Sequence, residues 1–168
     1  MGDYAKIVSF EEFEAYRAAA GKIVCTSGGY DPVHPGHLSN IIESKKYGDT
    51  LVAIVNGDAF LTQKKGKPFQ DLQTRCAIIS CIREVDFVIP FEIENDMTVC
   101  VALEKLRPNV FTKGGDRTDY TNIPEWDTCK RYNIQLVPNI GLNKMWSSSN
   151  FLAEWGEFWK THTQNKGD

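Results

Sequence analysis

Several features are scarce or missing in this sequence, and each absence narrows its function. No apolar run approaches the ~20 residues that a membrane-spanning helix needs. The opening stretch, Met1 to Phe10, has no apolar block of the signal-peptide kind, so the expectation is a soluble cytoplasmic protein. Basic charge is not in excess: the net charge is −3, which argues against a nucleic-acid surface. The five cysteines (Cys25, Cys76, Cys81, Cys100 and Cys129) are odd in number, irregularly spaced and form no C-x-x-C. Neither a disulfide framework nor a zinc site is indicated, and most of them read as small core side chains. Repeats and low-complexity blocks are absent. So are the G-K-[ST] of a Walker loop and the dinucleotide fingerprint G-x-G-x-x-G. Histidine is scarce: three occur in 168 residues, and two of them fall in one loop.

What is present is an alternation of strand and helix patterns. Ser9 and Glu12 form a capping-box pair opening a first helix to about Ala20. Lys22 to Thr26 reads as a first buried strand, and a helix follows from Pro35 to about Tyr47, closed by Gly48-Asp49. Thr50 to Asn56 is a near-continuous apolar strand of the kind found in parallel sheets covered on both faces. Asp71 to Ile82 reads as a helix and Asp86 to Pro90 as a third strand. Asp96 is expected to cap a helix ending near Leu106, before Pro108. Asn109 to Thr112 is a fourth strand, Pro124 to Tyr132 a helix and Ile134 to Val137 a fifth strand. A tail helix from Ser147 to about Lys160 carries Phe151, Trp155, Phe158 and Trp159 on one side. This order implies one domain: an α/β, Rossmann-like, open parallel five-stranded sheet with helices on both faces. Ligands in such sheets bind beyond the carboxyl ends of the strands.

The loop after the first strand runs Ser27-Gly28-Gly29-Tyr30-Asp31-Pro32-Val33-His34-Pro35-Gly36-His37. Gly28 and Gly29 permit close backbone approach. Pro35 suits the first helical position, and the helix start offers free N–H groups to an anion. His34 and His37 stand three apart at that start, with Gly36 leaving room for a phosphate between them. No further histidine or carboxylate cluster completes a metal site, and the metal-ligand set stays open. His162 lies in the polar tail.

These residues carry a resemblance. Gly28 to His37, with H-x-G-H at its end, followed by Lys46-x-Gly48-Asp49, resembles the cytidylyltransferase-like nucleotidyltransferase superfamily. H-x-G-H alone also resembles class I aminoacyl-tRNA synthetases, which are far longer. Val55-Asn56-Gly57-Asp58, the basic loop Lys64 to Lys67, Arg75, Lys113-Gly114-Gly115-Asp116 and Ser147-Ser148-Ser149-Asn150 are similar, in order, to motifs of the branch that adenylylates sugar phosphates. Its nearest named member is the adenylyltransferase half of the bifunctional heptose-phosphate kinase/adenylyltransferase. Glycerol-phosphate cytidylyltransferases share the first motif. The chain departs from the pattern at Gln73, at Met145-Trp146 and at Val33-His34-Pro35, which leaves the acceptor open.

The resemblance implies transfer of a nucleoside monophosphate, ATP being favoured as donor, to a sugar phosphate such as heptose 1-phosphate, with release of pyrophosphate. Use of CTP with glycerol phosphate or a related alditol or amino-alcohol phosphate is the alternative, and a non-catalytic nucleotide sensor is an alternative of another class. It assigns His34, His37 and Lys46 to catalysis. Gly28, Gly29, Tyr30, Lys113, Gly115, Asp116, Ser147, Ser148 and Ser149 would bind the nucleotide. Asp31, Lys46, Asn56, Asp58, Lys65 and Arg75 would bind the acceptor. Mg²⁺ is expected with the triphosphate, a homodimer as the assembly, and neither nucleic acid nor membrane as a partner. A phosphate monoester is already largely dianionic at neutral pH, its second pKa being ~6. Such a nucleophile needs no general base, and catalysis reduces to aligning and neutralising two anions.

Overall fold

A computed structural model describes residues 4–115, 123–142 and 145–164. Six strands make one all-parallel sheet: β1 (Lys6–Ile7), β2 (Ile23–Gly28), β3 (Thr50–Asn56), β4 (Phe87–Phe91), β5 (Val110–Thr112) and β6 (Gln135–Val137), in the spatial order β1-β4-β3-β2-β5-β6. The helices are α1 (Phe10–Arg17), α2 (Pro35–Lys45), α3 (Asp58–Lys65), α4 (Leu72–Ser80), α5 (Cys100–Leu106), α6 (Trp126–Arg131) and α7 (Ser148–Gln164). Among the described residues the expected five strands are therefore six. The extra edge strand β1 has two residues, both exposed, too short and too polar to give a period-two signal.

Strand side chains alternate between faces, and this alternation builds two cores. On one face Val24, Leu51, Ala53, Val55, Val88 and Val110 pack against Ile41 of α2 and Cys76 and Ile79 of α4. On the other, Cys25, Val52, Ile54, Ile89 and Phe111 pack against Phe13 of α1, Leu103 of α5 and Cys129 of α6. All seven residues of β3 are buried, as its unbroken apolar run required. Three of the five cysteines are buried; Cys81 is exposed and Cys100 half-buried.

Helix starts follow local chemistry. The Ser9 hydroxyl accepts the Glu12 N–H at 3.1 Å and the Glu12 carboxylate accepts the Ser9 N–H at 2.7 Å, the reciprocal capping box. Asp71 caps α4 through the Thr74 N–H at 2.7 Å. Two expectations are corrected. Asp96 does not open α5: its carboxylate closes a local turn on the Thr98 N–H and hydroxyl, both at 2.7 Å, and the helix starts at Cys100. The basic run Lys64 to Lys67 is not all loop, because Lys64 and Lys65 form the last turn of α3, which ends at Gly66 with φ 93°.

Candidate active site

The chain winds from β2 to β3 to β4 in one direction, then returns to place β5 and β6 on the other side of β2. The loops leaving β2 and β5 part at this switch point, where open α/β sheets form a crevice. A cavity of about 510 Å³ lies there. The β2 loop and the start of α2 form its middle, with His34, Gly36, His37 and Asn40 on its wall. Asn56, Phe60 and Lys64 contribute from the β3 side, and Lys113 to Gly115 with Ser147 to Ser149 from the β5 and β6 side.

The histidine pair is built by the N-terminus of α2. His34 is its N-cap and Pro35 its first residue. Nδ1 of His34 accepts the His37 backbone N–H at 3.3 Å. A neutral His34 therefore carries its ring proton on Nε2. The His37 ring stacks on that of His34 with centroids 3.7 Å apart and planes 18° apart. Tyr30 supports His37 from below, edge to face at 5.1 Å. Tyr30 reaches this place through a left-handed backbone, φ 52°. Gly28 makes room for its ring, since a Cβ there would lie 2.9 Å from Tyr30 Cζ. Gly36 is similarly constrained: a Cβ would lie 3.1 Å from the His34 ring.

Burial favours the neutral form of both rings. Desolvation, then His34, then Lys64 push His37 down to about 3. Desolvation also lowers His34, against a smaller opposing hydrogen bond. Nδ1 of His37 and Oδ1 of Asn56 are buried without a protein hydrogen-bond partner. Both residues line the cavity, and a buried polar atom left unpaired costs free energy that a ligand can recover.

Asn40 of α2 locks the crevice floor. Its Oδ1 accepts the Thr26 hydroxyl of β2 at 2.7 Å, and its Nδ2 donates to the Ile140 carbonyl after β6 at 3.4 Å. Ser147 stands just before α7, its hydroxyl accepting the Asn150 N–H at 3.4 Å, while the Ser148 hydroxyl donates to the Pro32 carbonyl at 2.9 Å. The start of α7 is thereby tied to the histidine loop.

Residues 25–151 match the model of the cytidylyltransferase-like family. This chain belongs to that family. It is a cytidylyltransferase-like nucleotidyltransferase, as the motif resemblance implied. Among curated relatives, the bifunctional protein HldE of Nitrosococcus oceani is 37% identical over 98 residues, covering 57% of this chain and 20% of that protein. The bifunctional protein HldE of Gluconobacter oxydans is 32% identical over 126 residues, 74% of this chain and 26% of that one. The chain thus spans about a quarter or less of the length of these relatives. Among solved structures, a lipopolysaccharide core biosynthesis protein from Thermoplasma volcanium superposes with TM-score 0.60 at 28% identity, over 73% of this chain and 98% of that one. Pantoate-beta-alanine ligase from Francisella tularensis shares the fold, with TM-score 0.58 at 15% identity, over 85% of this chain and 68% of its own.

Of the residues expected in the site of this cytidylyltransferase-like chain, Gly28, Gly29, Tyr30, His34, His37, Asn56, Lys113, Gly115, Ser147, Ser148 and Ser149 line the one cavity. Asp116 lies outside the described residues. Five others stand elsewhere. Lys46 ends α2, exposed and paired with Glu43 at 2.7 Å. Eleven residues of helix at ~1.5 Å each carry it away from the histidines. Asp31 is buried and accepts the Phe69 and Gln70 N–H groups, both at 2.8 Å, and the Lys65 ammonium at 2.5 Å. Burial works to raise its pKa, but these donors outweigh it and the carboxyl is held lower than usual. Asp31 and Lys65 therefore shape the loop. Arg75 is fully buried; it donates to the carbonyls of Gly29 at 2.8 Å, Asn56 at 2.5 Å and Gln70 at 3.0 Å, and to Asp58 at 2.6 Å. Four of its N–H donors are spent inside the protein, so it is placed as a brace between loops, with Asp58 as its counter-ion.

Sequence reasoning missed Asn40, Phe60, Met97, Val99 and Glu125 on the cavity wall. Asn40 carried a signal: it lies three residues beyond His37 on the same helical face, next to the core residue Ile41. The others gave none, since nothing local brings Met97 or Glu125 to β2.

Proposed function

We propose that this chain transfers a nucleoside monophosphate, adenylyl by preference, from a nucleoside triphosphate to the phosphate of a small sugar phosphate such as heptose 1-phosphate, releasing pyrophosphate. The observation that carries the reading is the stacked pair His34 and His37 at the N-terminus of α2, opening on a cavity of about 510 Å³. The sugar-phosphate acceptor follows the resemblance of the motifs to the branch that adenylylates sugar phosphates, and the likeness to the HldE proteins is in keeping with it.

The chemistry follows from charge. The acceptor phosphate oxygen attacks the α-phosphorus, the bond from that phosphorus to the bridging oxygen breaks, and pyrophosphate takes the electron pair. Neutral imidazoles donate N–H to phosphoryl oxygens, and the N-terminal end of the α2 dipole adds a partial positive charge. Lys113 and Lys64 supply full charges on opposite walls. The unpaired Oδ1 of Asn56 accepts a hydroxyl of the acceptor. Mg²⁺ would enter as an ion carried on the triphosphate, where it neutralises phosphate charge. A homodimer in the cytoplasm completes the reading.

The test is pyrophosphate release by purified protein given ATP or CTP with heptose 1-phosphate, other sugar 1-phosphates and glycerol 3-phosphate. Turnover with ATP and a sugar phosphate is expected. Turnover only with CTP and glycerol phosphate would replace both substrates, and triphosphate binding without turnover across the panel would make the chain a sensor.

A further inference from the structure

The cavity holds one carboxylate that the phosphate chemistry does not use. Glu125 is 2% exposed, yet it lies on the cavity wall among groups that meet anions. Its Oε2 accepts the Lys113 ammonium in a short hydrogen bond. The Lys113 side chain stays 26% exposed and lines the cavity, so the ion pair sits on the cavity wall and not sealed in the core. Oε1 faces the Val99 N–H at 3.4 Å. Glu125 thereby joins the β5 loop to the segment before α5, whose Met97 and Val99 also line the cavity.

A negative charge beside a phosphate site is unfavourable on Coulomb grounds alone, so its presence there calls for a compensating role. An unpaired lysine carries four rotatable bonds and must lose that freedom on meeting its anion. A lysine already bonded to a buried carboxylate has lost it beforehand. We propose that Glu125 is a positioning residue for nucleotidyl transfer: it fixes the Lys113 ammonium on the cavity wall so that this charge meets the triphosphate pre-aligned. The inference rests on the nucleotidyltransferase reading of the site.

A double-mutant cycle tests it, with kcat and the KM for the triphosphate measured for wild type, Glu125→Gln, Lys113→Met and the double variant. Glu125→Gln keeps the shape but removes the charge and one of the two acceptor oxygens, since only the amide oxygen of Gln can accept. It is expected to lower kcat by roughly ten- to a hundredfold, with KM changed far less, as misalignment does. In the Lys113→Met background the same change is expected to cost nothing further, because Glu125 acts only through Lys113. Equal losses in both backgrounds, or an unchanged kcat in Glu125→Gln, overturn the inference. Should Glu125→Gln not fold, Glu125→Asp keeps the charge but withdraws it by one methylene. An intermediate loss in kcat at constant KM supports the proposal, and full kcat overturns it. A wild type that turns over no substrate pair would instead sink the reading of function beneath it.

Discussion

His34 and His37 share one stack, 3.7 Å between ring centroids, and the His37 N–H, which donates to the His34 carbonyl at 2.9 Å and to His34 Nδ1 at 3.3 Å. Neither ring can be displaced without disturbing the other, and both border the cavity. Replacing His37 by Ala should therefore abolish chemistry without unfolding the protein. We expect kcat to fall by at least about a hundredfold, the cost of losing one well-placed donor. The melting temperature should stay within about 4 °C of wild type. Retained turnover in this variant would remove the histidine pair from the mechanism.

The same burial gives a pH signature. His37 sits far below its ordinary 6.5, at about 3. An unfolded chain takes up a proton as pH falls through 6.5, whereas the folded chain resists until about 3. The unfolded state then binds more protons, so stability declines with falling pH across that window. The slope from this one group approaches about 1.4 kcal/mol per pH unit. Urea titrations from pH 7 to 4 should show a shallower acid decline for His37→Gln than for wild type. Identical declines would mean the ring is not held neutral.

Arg75 is expected to matter for stability rather than for substrate affinity. Lysine cannot reproduce a fork that serves Gly29, Asn56, Gln70 and Asp58 together. Arg75→Lys should cost at least about 3 kcal/mol in chemical denaturation, as breaking a buried charged network does. A direct phosphate contact would instead show as a raised KM in a protein of normal stability.

Gly57 caps α3 without a side chain, and Glu92 fills that gap, accepting the Asp58 N–H at 2.7 Å and the Ala59 N–H at 2.9 Å. A Cβ on Gly57 would fall 2.3 Å from Glu92 Oε2. Gly57→Ala should destabilise by about 1–3 kcal/mol. Adding Glu92→Ala should return part of that loss by removing the clash. Simple additivity of the two changes would show that the helix start gives way by another route.

The proposed homodimer has its natural seat on α7, where Trp155 and Trp159 are 60% and 58% exposed and their rings lie 6.4 Å apart. Aromatic side chains are enriched at interface cores. Light scattering should find a dimer in wild type and a monomer in Trp155→Glu/Trp159→Glu. A monomeric wild type ends this proposal.

Much of the frame was legible because it rests on local patterns. Thr50 to Asn56 declared a buried parallel strand by its composition, and Ser9 with Glu12 declared a helix start. The paired histidines, Lys113 and the three serines were legible from position, since each follows a strand or opens a helix. The charged residues between them were not. Asp31, Asp58, Lys65 and Arg75 have the chemistry of ligands, yet buried charges need partners, and here the partners are other parts of the chain. Their roles depend on which loops meet, which is a property of the sheet order and not of any local stretch. Glu125 was invisible for the converse reason: a solitary acid before a tryptophan carries no pattern until β5 and α5 bring Lys113 and Val99 to it.

The bonds from Arg75 to the carbonyls of Gly29 and Asn56 have a mechanical consequence. One guanidinium grips the segments leaving two adjacent strands, one beside the histidine loop and the other at the start of α3. Neither segment can swing outward alone without abandoning a charged donor in the interior. That side of the mouth must therefore yield as a single jaw, so a molecule seated against α3 and one seated against the histidines would feel each other's arrival.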